Sequence, residues 1–353
     1  MFNPARLACA LVLGVFVAVG QAAPLYRITL LPPVGSSYCQ GNAMNDEGMV
    51  TGYCGLAGFV WTAAAGMQLF SDPAFPESAL NPRSINSAGV VLGERYDING
   101  SLGRNPPFVW DPVVGFVYFG TSERHWTPRS INSSGQAVGW SWRKDDVRQQ
   151  TKAFHWSYAG GVEHLSPVTK HMRTQAFDNN DLGQVAFSFG NVDEGTMHCL
   201  RLEPDGKRTP LPRMPNCAPI AINPRGHVAG FMWLPDGRIQ AFLWTPEGGI
   251  QELDTRTGLL DQSFASDVND AGQVVGLASA VDPRDQGSEW AFYWDAESGM
   301  VDLLTLLDPA DPLRGNIETL QGAGVKINAH GQIMVNAWQP SGYLVPVVLT
   351  PLP

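Results

Sequence analysis

The sequence predicts an all-β fold, a seven-bladed β-propeller of four-stranded blades whose N-terminal strand completes the last blade. Three observations predict this fold. Ile or Val followed by Asn-x-x-Gly recurs along the whole chain, usually before alternating apolar residues. Each recurrence divides into short apolar runs bounded by turn residues, as strands do, and helical spacing is rare. Four-stranded units repeated at about 40–50 residues are typical of propeller blades.

The composition indicates a globular protein that is not basic. The 353 residues are 44% hydrophobic, which is enough for a core, and include 38 Gly and 27 Pro. The formal net charge is −10. We therefore expect no nucleic-acid partner, because phosphate neutralisation needs clustered Lys and Arg. We also expect no membrane insertion and a monomeric state.

The first 22 residues are interpreted as a signal peptide. A basic start precedes an uncharged apolar run at residues 7–19, and Gly20-Gln21-Ala22 supplies small residues for cleavage after Ala22. A transmembrane anchor is the alternative, but the run is shorter than the roughly 20 residues that span a bilayer. Residues 23–353 then form one propeller domain, secreted or periplasmic in a bacterium.

Four cysteines follow the apolar run. An even number in an oxidising compartment favours disulfides. Local spacing predicts Cys39–Cys54 and Cys199–Cys217, although four cysteines allow three connectivities. A zinc site is the alternative, and the absence of any Cys-x-x-Cys spacing argues against it.

The Asn-x-x-Gly motif predicts a tight hairpin turn in each unit, because Asn favours turn positions and Gly supplies a positive φ. The intervals between successive motif Asn residues are 41, 46, 48, 43, 46 and 59. The pairs are Asn45/Gly48, Asn86/Gly89, Asn132/Gly135, Asn180/Gly183, Asn223/Gly226, Asn269/Gly272 and Asn328/Gly331.

A second pattern, Phe-x-Trp with Gly a few residues later, marks the third strand of a unit. We expect these large apolar groups to fill the gaps between blades. Leu200 and Leu202 keep the spacing in the fourth unit, and the seventh keeps only an apolar run at residues 343–349. The matches are Phe59/Trp61, Phe108/Trp110, Phe154/Trp156, Phe242/Trp244 and Phe292/Trp294.

The third unit illustrates the four predicted strands, which are residues 129–132, 136–142, 153–157 and 162–165. The last unit has room for only three strands before residue 353. Residues 26–31 form an isolated strand-like run near the N-terminus. We infer that this run supplies the missing strand and removes exposed strand edges.

The units resemble the extracellular HAF repeats, named for a His-Ala-Phe step, over residues 26–353. Residues 131–139 and 268–276 match the family's I-N-x-x-G-x-V-x-G block. The Ala-Phe half is present at residues 153–154, 241–242 and 291–292, but Lys152, Gln240 and Trp290 replace the His. The resemblance implies a secreted bacterial repeat protein, without a particular activity.

Long, variable connections are expected on one face of the ring, opposite the short Asn-x-x-Gly turns. They lie within residues 94–106, 140–152, 277–289 and 305–323. Insertions often mark a binding face. Aromatic residues near this face could stack on sugars or anchor a protein, and packing between blades is the alternative. They are Trp140, Trp142, Trp233, Trp338 and Tyr96.

Polar residues of the innermost strands are predicted to line a central channel, which either binds a ligand or is only solvated. No metal or other cofactor is predicted. Turns at residues 178–183 and 267–272 begin like calcium loops, but Leu182 and Ala271 stand where an oxygen ligand is required. The predicted channel residues are Arg83, Arg129, Asp178, Asp267 and Lys326.

The main function predicted from these features is a secreted, non-catalytic binding protein that holds a glycan or an extracellular protein on the long-loop face. The alternative is an enzyme, a lyase or hydrolase, acting on an extracellular polymer at the channel mouth. The enzyme requires converging titratable groups with perturbed pKa values. Glycan binding requires exposed indoles at Trp142, Trp233 and Trp338.

Overall fold

The computed structural model describes residues 25–32, 38–97, 106–146, 150–165, 172–191, 193–211, 216–253, 262–279 and 289–353, apart from the side chains of residues 97, 322 and 323. The predicted signal peptide lies outside the described residues, as do parts of the predicted long connections. Within the described residues the chain contains strands and two short 3₁₀ helices but no α-helix. The all-β prediction is confirmed.

The strands follow the unit boundaries set by the motif, with four strands to most units. In chain order they are β1 (Tyr26–Leu30), β2 (Cys39–Met44), β3 (Val50–Cys54), β4 (Ala57–Thr62), β5 (Gly66–Phe70), β6 (Ser78–Ile85), β7 (Val91–Asp97), β8 (Pro107–Asp111), β9 (Gly115–Tyr118), β10 (Arg124–Ile131), β11 (Ala137–Arg143), β12 (Lys152–Ser157), β13 (Gly161–His164), β14 (Met172–Asn179), β15 (Val185–Asn191), β16 (His198–Leu202), β17 (Arg208–Pro210), β18 (Cys217–Ile222), β19 (Val228–Trp233), β20 (Ile239–Thr245), β21 (Gly249–Glu252), β22 (Gln262–Val268), β23 (Val274–Ser279), β24 (Glu289–Asp295), β25 (Gly299–Asp302), β26 (Thr319–Ile327), β27 (Ile333–Trp338) and β28 (Leu344–Pro351).

Antiparallel pairing groups these strands into sheets of four. Strands β2–β5, β6–β9, β10–β13 and β14–β17 each form one sheet in chain order. Strands β18–β21 and β22–β25 form two more, linked by one parallel bridge between Ile239 and Gln262. The last sheet has the order β1-β28-β27-β26, so the first and last strands of the chain pair antiparallel.

The innermost strands begin earlier than predicted. Strand β10 starts at Arg124, whereas the pattern indicated residue 129. The register shifts between Pro128 and Ser130, and this bulge puts the apolar alternation on its two sides out of phase. The same shift recurs at the equivalent position in β2, β6, β14, β18 and β22.

The Asn of each motif joins one sheet to the next. Asn132 Oδ1 accepts from Gln136 N at 2.9 Å, which holds the turn, and Gly135 has φ +72°. Asn132 Nδ2 donates to Asn180 O in the following sheet at 3.2 Å. Equivalent bonds link all the motif Asn residues, and Asn328 Nδ2 donates back to Asn45 O at 3.4 Å. The bonds therefore form a closed cycle through all seven turns.

The last Gly of the motif lies where two backbones almost touch. A Cβ on Gly139 would be 2.2 Å from Thr127 O of the bulged inner strand. Gly52, Gly230 and Gly276 approach the equivalent inner-strand carbonyls as closely. The motif therefore ends in Gly because a side chain would push the second strand away from the bulge.

The Phe-x-Trp pattern supplies the packing between sheets. Phe59, Phe108, Phe154 and Phe292 are fully buried. Phe154 belongs to one apolar cluster with Leu92 and Val109 of the preceding sheet. These contacts agree with the expectation that the third strand fills the gaps between neighbouring sheets.

The longest interval between units covers the edge of β1. Residues 303–317 include both 3₁₀ helices and bury Leu303, Leu306 and Leu307 against Tyr26. Ile28 N donates to Asp311 Oδ2 at 2.8 Å, which satisfies an edge donor of β1. The predicted loop at residues 305–323 is therefore in large part a packed cover for a strand edge.

Both predicted disulfides are formed. Cys39 and Cys54 face each other across β2 and β3, and Cys199–Cys217 connects β16 to β18 in the next sheet. Two disulfides indicate an extracellular or periplasmic protein. No helix among the described residues has the length and apolar character to cross a membrane.

Candidate active site in the central cavity

A cavity of about 710 Å³ lies where the inner strands and Asn turns of the seven units converge. Its lining includes all the residues predicted from the sequence to line a channel. They are Arg83, Arg129, Asp178, Asp267 and Lys326.

The bulge explains why consecutive positions of an inner strand reach the cavity. Arg83 and Arg129 lie three residues before their motif Asn, at the extra residue of the bulge. Asp178, Asp267 and Lys326 lie two residues before it, on the Asn-turn side. A bulge redirects the side chains at its two residues, so both positions face the cavity.

Asp178 and Asp267 also link neighbouring sheets. Asp178 Oδ2 accepts from Ile222 N at 2.8 Å, and Oδ1 accepts from Asn179 N at 2.9 Å. Asp267 accepts from Ile327 N and Val268 N, each at 3.0 Å. Ser84 makes the equivalent intersheet bond with Ile131 N. The aspartates therefore occupy a structural position at which another unit uses a neutral side chain.

Burial raises the pKa of both carboxyl groups. Desolvation is the largest cause for Asp267, and the negative charge of Asp178 adds to it, so the pKa of Asp267 is about 6. Desolvation also raises the pKa of Asp178, opposed by Lys326 and by hydrogen bonds from Ser130, Ile222 N and Asn179 N. Asp178 accepts one hydrogen bond more than Asp267, and each such bond favours the ionised form.

Lys326 is a cavity cation that acts on both carboxylates. Its charge lowers the pKa of both Asp178 and Asp267. Its Nζ donates to Ser266 O at 3.3 Å, which holds the ammonium at the inner strand β22. Two carboxyl groups and one ammonium are thus electrostatically coupled in the cavity.

The two arginines lie on adjacent sheets and differ in their partners. Arg83 Nε donates to Glu94 Oε1 at 2.9 Å, and Arg83 also reaches the Tyr96 hydroxyl. Glu94 is buried, with 5% of its side chain exposed. Sequence reasoning missed Glu94. The sequence did contain a signal for it, because a carboxylate follows directly after the apolar residues that begin the second strand. A carboxylate at such a buried position needs an ion pair.

Arg129 is not paired in this way with any carboxylate in the part of the chain that the structure describes. Its guanidinium lies 5.5 Å from the centre of the Trp140 ring, and its buried Nε has no hydrogen-bond partner among the described residues. Desolvation lowers the pKa of Arg129, the neighbouring Arg83 lowers it further, and Asp178 and Glu94 raise it.

The aromatic residues predicted for the long-loop face do not line the cavity. Trp233 is 44% exposed, and Trp142 and Trp338 are half-buried. Trp142 stacks on His125 with 5.1 Å between ring centres, and Trp140 packs against Phe177. Tyr96 contacts Arg83. Among the described residues, no group of three or more His, Cys, Asp or Glu is placed to hold a metal ion.

No protein-family model and no curated protein sequence matches the chain. Solved structures resemble it in fold. A prolyl endopeptidase matches with TM-score 0.56 and 10% identity over 93% of this chain and 51% of its own. A puromycin hydrolase variant, S511A, complexed with PGG matches with TM-score 0.50 and 15% identity over 93% and 52%. This chain thus spans about half the length of these enzymes.

A gluconolactonase from Xanthomonas campestris matches with TM-score 0.43 and 12% identity over 86% of this chain and 97% of its own. The two matches with TM-scores of 0.56 and 0.50 establish a propeller-like, all-β fold. They count against the main prediction of a non-catalytic binding protein, because both of those proteins are enzymes, and they agree better with the enzyme alternative. At this identity the likeness concerns the fold, so the reaction must be inferred from the cavity.

Proposed function

We propose that the four-stranded sheets are the blades of one seven-bladed β-propeller, with β1 completing the last blade. Two features support this architecture. The Asn hydrogen bonds return from Asn328 to Asn45 after passing through every unit. Strands β1 and β28 join the two ends of the chain in one sheet, which fastens such a ring. The cavity then lies on the axis of the ring.

We propose that the protein is an enzyme, a hydrolase or lyase that acts on an extracellular polymer at this axial cavity. One observation carries the proposal. Asp178 and Asp267, both with raised pKa, share a cavity of about 710 Å³ with Lys326 and Arg129. Perturbed carboxyl groups in a cleft are what acid–base catalysis requires.

The two carboxyl groups suit different roles. Asp267, with a pKa of about 6, keeps a proton under mildly acidic conditions and is the proposed general acid. Asp178, whose additional hydrogen bond favours the ionised form, is the proposed general base. In hydrolysis, Asp267 protonates the leaving oxygen while Asp178 takes a proton from the attacking water. In elimination, Asp178 takes the carbon-bound proton and Asp267 protonates the leaving oxygen.

The location supports an extracellular substrate. Two disulfides suit an oxidising compartment. Export through the proposed signal peptide, residues 1–22, would bring the protein to polymers outside the cytoplasm.

The test is cleavage of polymers by the chain that begins at residue 23. Polyuronates, neutral glucans and a denatured protein are offered, and released reducing ends, unsaturated sugar products and new amino groups are measured. We expect cleavage of one polymer class. Asp178→Asn and Asp267→Asn should each lower the rate at least 100-fold, as expected for loss of an acid or base.

Asp236→Asn is the matched control, since Asp236 is an exposed carboxylate paired with Arg238. It should keep the full rate. Each Asn variant should fold, because Asn retains one acceptor for the intersheet bond. Thermal unfolding checks this. Absence of cleavage of every polymer, or equal rates in the wild type and the folded Asn variants, overturns the proposal.

A further inference from the structure

We infer that Arg129 binds an anionic group of the substrate, and that the polymer is therefore one that carries carboxylates, a polyuronate. This inference rests on the proposed function, because it names the substrate class of the same cavity. It is carried by the difference between Arg129 and the other cations of the cavity.

The other two cations have partners within the protein. Arg83 is paired with the buried carboxylate of Glu94. Lys326 donates to Ser266 O and lies in the field of Asp178 and Asp267. Arg129 alone among the three makes no hydrogen bond to a described residue, and its Nε is buried.

An arginine in this setting stays charged, because guanidinium does not lose its proton under physiological conditions. Arg129 is half-buried, and leaving its buried Nε–H without an acceptor is costly. The cost is recovered when a ligand supplies the missing anion. A carboxylate fits best in shape, since it accepts two parallel N–H bonds from the guanidinium fork.

The direction of approach follows from the strand register. Arg129 extends from the bulge to Trp140, whose Cα partner is Thr127, nearer the long-loop end of β10. Acidic side chains lie at the opposite end, on the Asn turns, at Asp46, Asp181 and Asp270. An anionic chain is repelled from that end. This repulsion favours approach from the long-loop end, and along the strand register Arg129 lies nearer that end than the two carboxyl groups.

The net charge of −10 does not prevent this binding. Surface charges are screened beyond about 8 Å at physiological ionic strength, whereas a contact inside the cavity is screened much less. The acidic surface instead limits binding to the segment of the polymer that reaches Arg129.

The test is calorimetric titration of polygalacturonate oligomers into Asp267→Asn, which keeps the ligand intact. Adding Arg129→Gln should weaken binding at least 10-fold, and Arg129→Lys should weaken it less because it keeps the charge. Arg238→Gln, at an exposed arginine, should leave binding unchanged. Methyl-esterified oligomers and dextran should bind at least 10-fold more weakly, and dextran sulfate tests sulfate as the anion.

Equal affinity of the Arg129→Gln protein for polygalacturonate overturns the inference, as does equal binding of the esterified oligomers or binding of dextran sulfate alone. These failures are distinct from failure of the proposed function. If a neutral polymer is cleaved and Asp267 is required, the proposed enzyme function stands and the anion site is rejected. If binding depends on Arg129 but no polymer is cleaved, the anion site stands and the enzyme function is rejected.

Discussion

Asn328 Nδ2 donates to Asn45 O across 283 residues of sequence, and this bond completes the cycle of hydrogen bonds through the motif turns. Each motif Asn uses its amide oxygen to hold its own turn and its amide nitrogen to hold the neighbouring turn. The side chain must therefore be both an acceptor and a donor. Asp lacks the N–H donor, and the side chain of Ser is too short to make both bonds. This explains why Asn recurs at the first position of every turn.

Replacing one Asn of this cycle should destabilise the protein markedly. Asn132→Ala leaves Gln136 N without its side-chain acceptor and removes one of the two donors to Asn180 O, both near the buried Asn132 side chain. We expect a loss of about 2–3 kcal/mol in the free energy of unfolding, measured by denaturant titration. Ser134→Ala, at an exposed position of the same turn, should change it by less than about 0.5 kcal/mol. Similar values for the two variants would contradict this role of Asn132.

The terminal Gly of the motif should tolerate no side chain. In Gly139→Ala the new Cβ meets Thr127 O at 2.2 Å, so one backbone must move. We expect a loss of more than about 3 kcal/mol in stability. The control is Gly160→Ala in the same unit, where the new Cβ meets only side-chain atoms and the nearest is 3.1 Å away. If Gly139→Ala unfolds at the wild-type denaturant concentration, the proposed backbone contact is wrong.

The disulfide between neighbouring sheets should contribute to stability. Cys199–Cys217 closes a loop with a sequence separation of 18, and loops of this size correspond to about 3 kcal/mol. The double variant Cys199→Ala/Cys217→Ala should lose about 2–4 kcal/mol in denaturant titration. Reductant should destabilise the wild type by at least as much, because it also opens Cys39–Cys54. No effect of either treatment would contradict the prediction.

Local patterns were sufficient to predict much of the fold. The turn motif and the Phe-x-Trp spacing predicted the four-stranded units, since turn chemistry and strand alternation act over a few residues. The disulfide pairs followed from their short separations. Strand starts were missed because the bulge near Pro128 shifts the alternation. The cover at residues 303–317 was missed because its leucines follow neither a helical nor a strand period.

The site could be predicted only in part for a related reason. Five cavity residues were identifiable, because they recur at fixed positions before the motif Asn. Their hydrogen-bond partners were not identifiable from the sequence. Asp178 accepts from Ile222 N and Arg83 donates to Glu94 through tertiary contacts, which local sequence spacing does not predict. The function prediction gave weight to exposed aromatics, whereas the charged groups converge elsewhere, in the cavity.

Stability should fall as Asp267 ionises. The pKa of this carboxyl is about 6 in the folded protein, above the roughly 3.9 of an unfolded Asp. Between these two values the folded state binds more protons, so the free energy of unfolding decreases as pH rises and levels off above pH 6. The contribution is up to about 3 kcal/mol. Asp267→Asn lacks it, so its stability relative to wild type should rise from pH 4 to pH 7. A constant difference between the two proteins would contradict the raised pKa.

The pH dependence of polymer cleavage tests the central claim, that Asp267 acts as an acid and Asp178 as a base in the axial cavity. We expect kcat/KM for the cleaved polymer to fall as pH rises through about 6, where Asp267 loses its proton, and to fall again at low pH as Asp178 gains one. Asp267→Asn should lose most of the rate and the upper limb of the profile together. A profile that is flat from pH 4 to pH 8, or an unchanged upper limb in folded Asp267→Asn, would contradict the account.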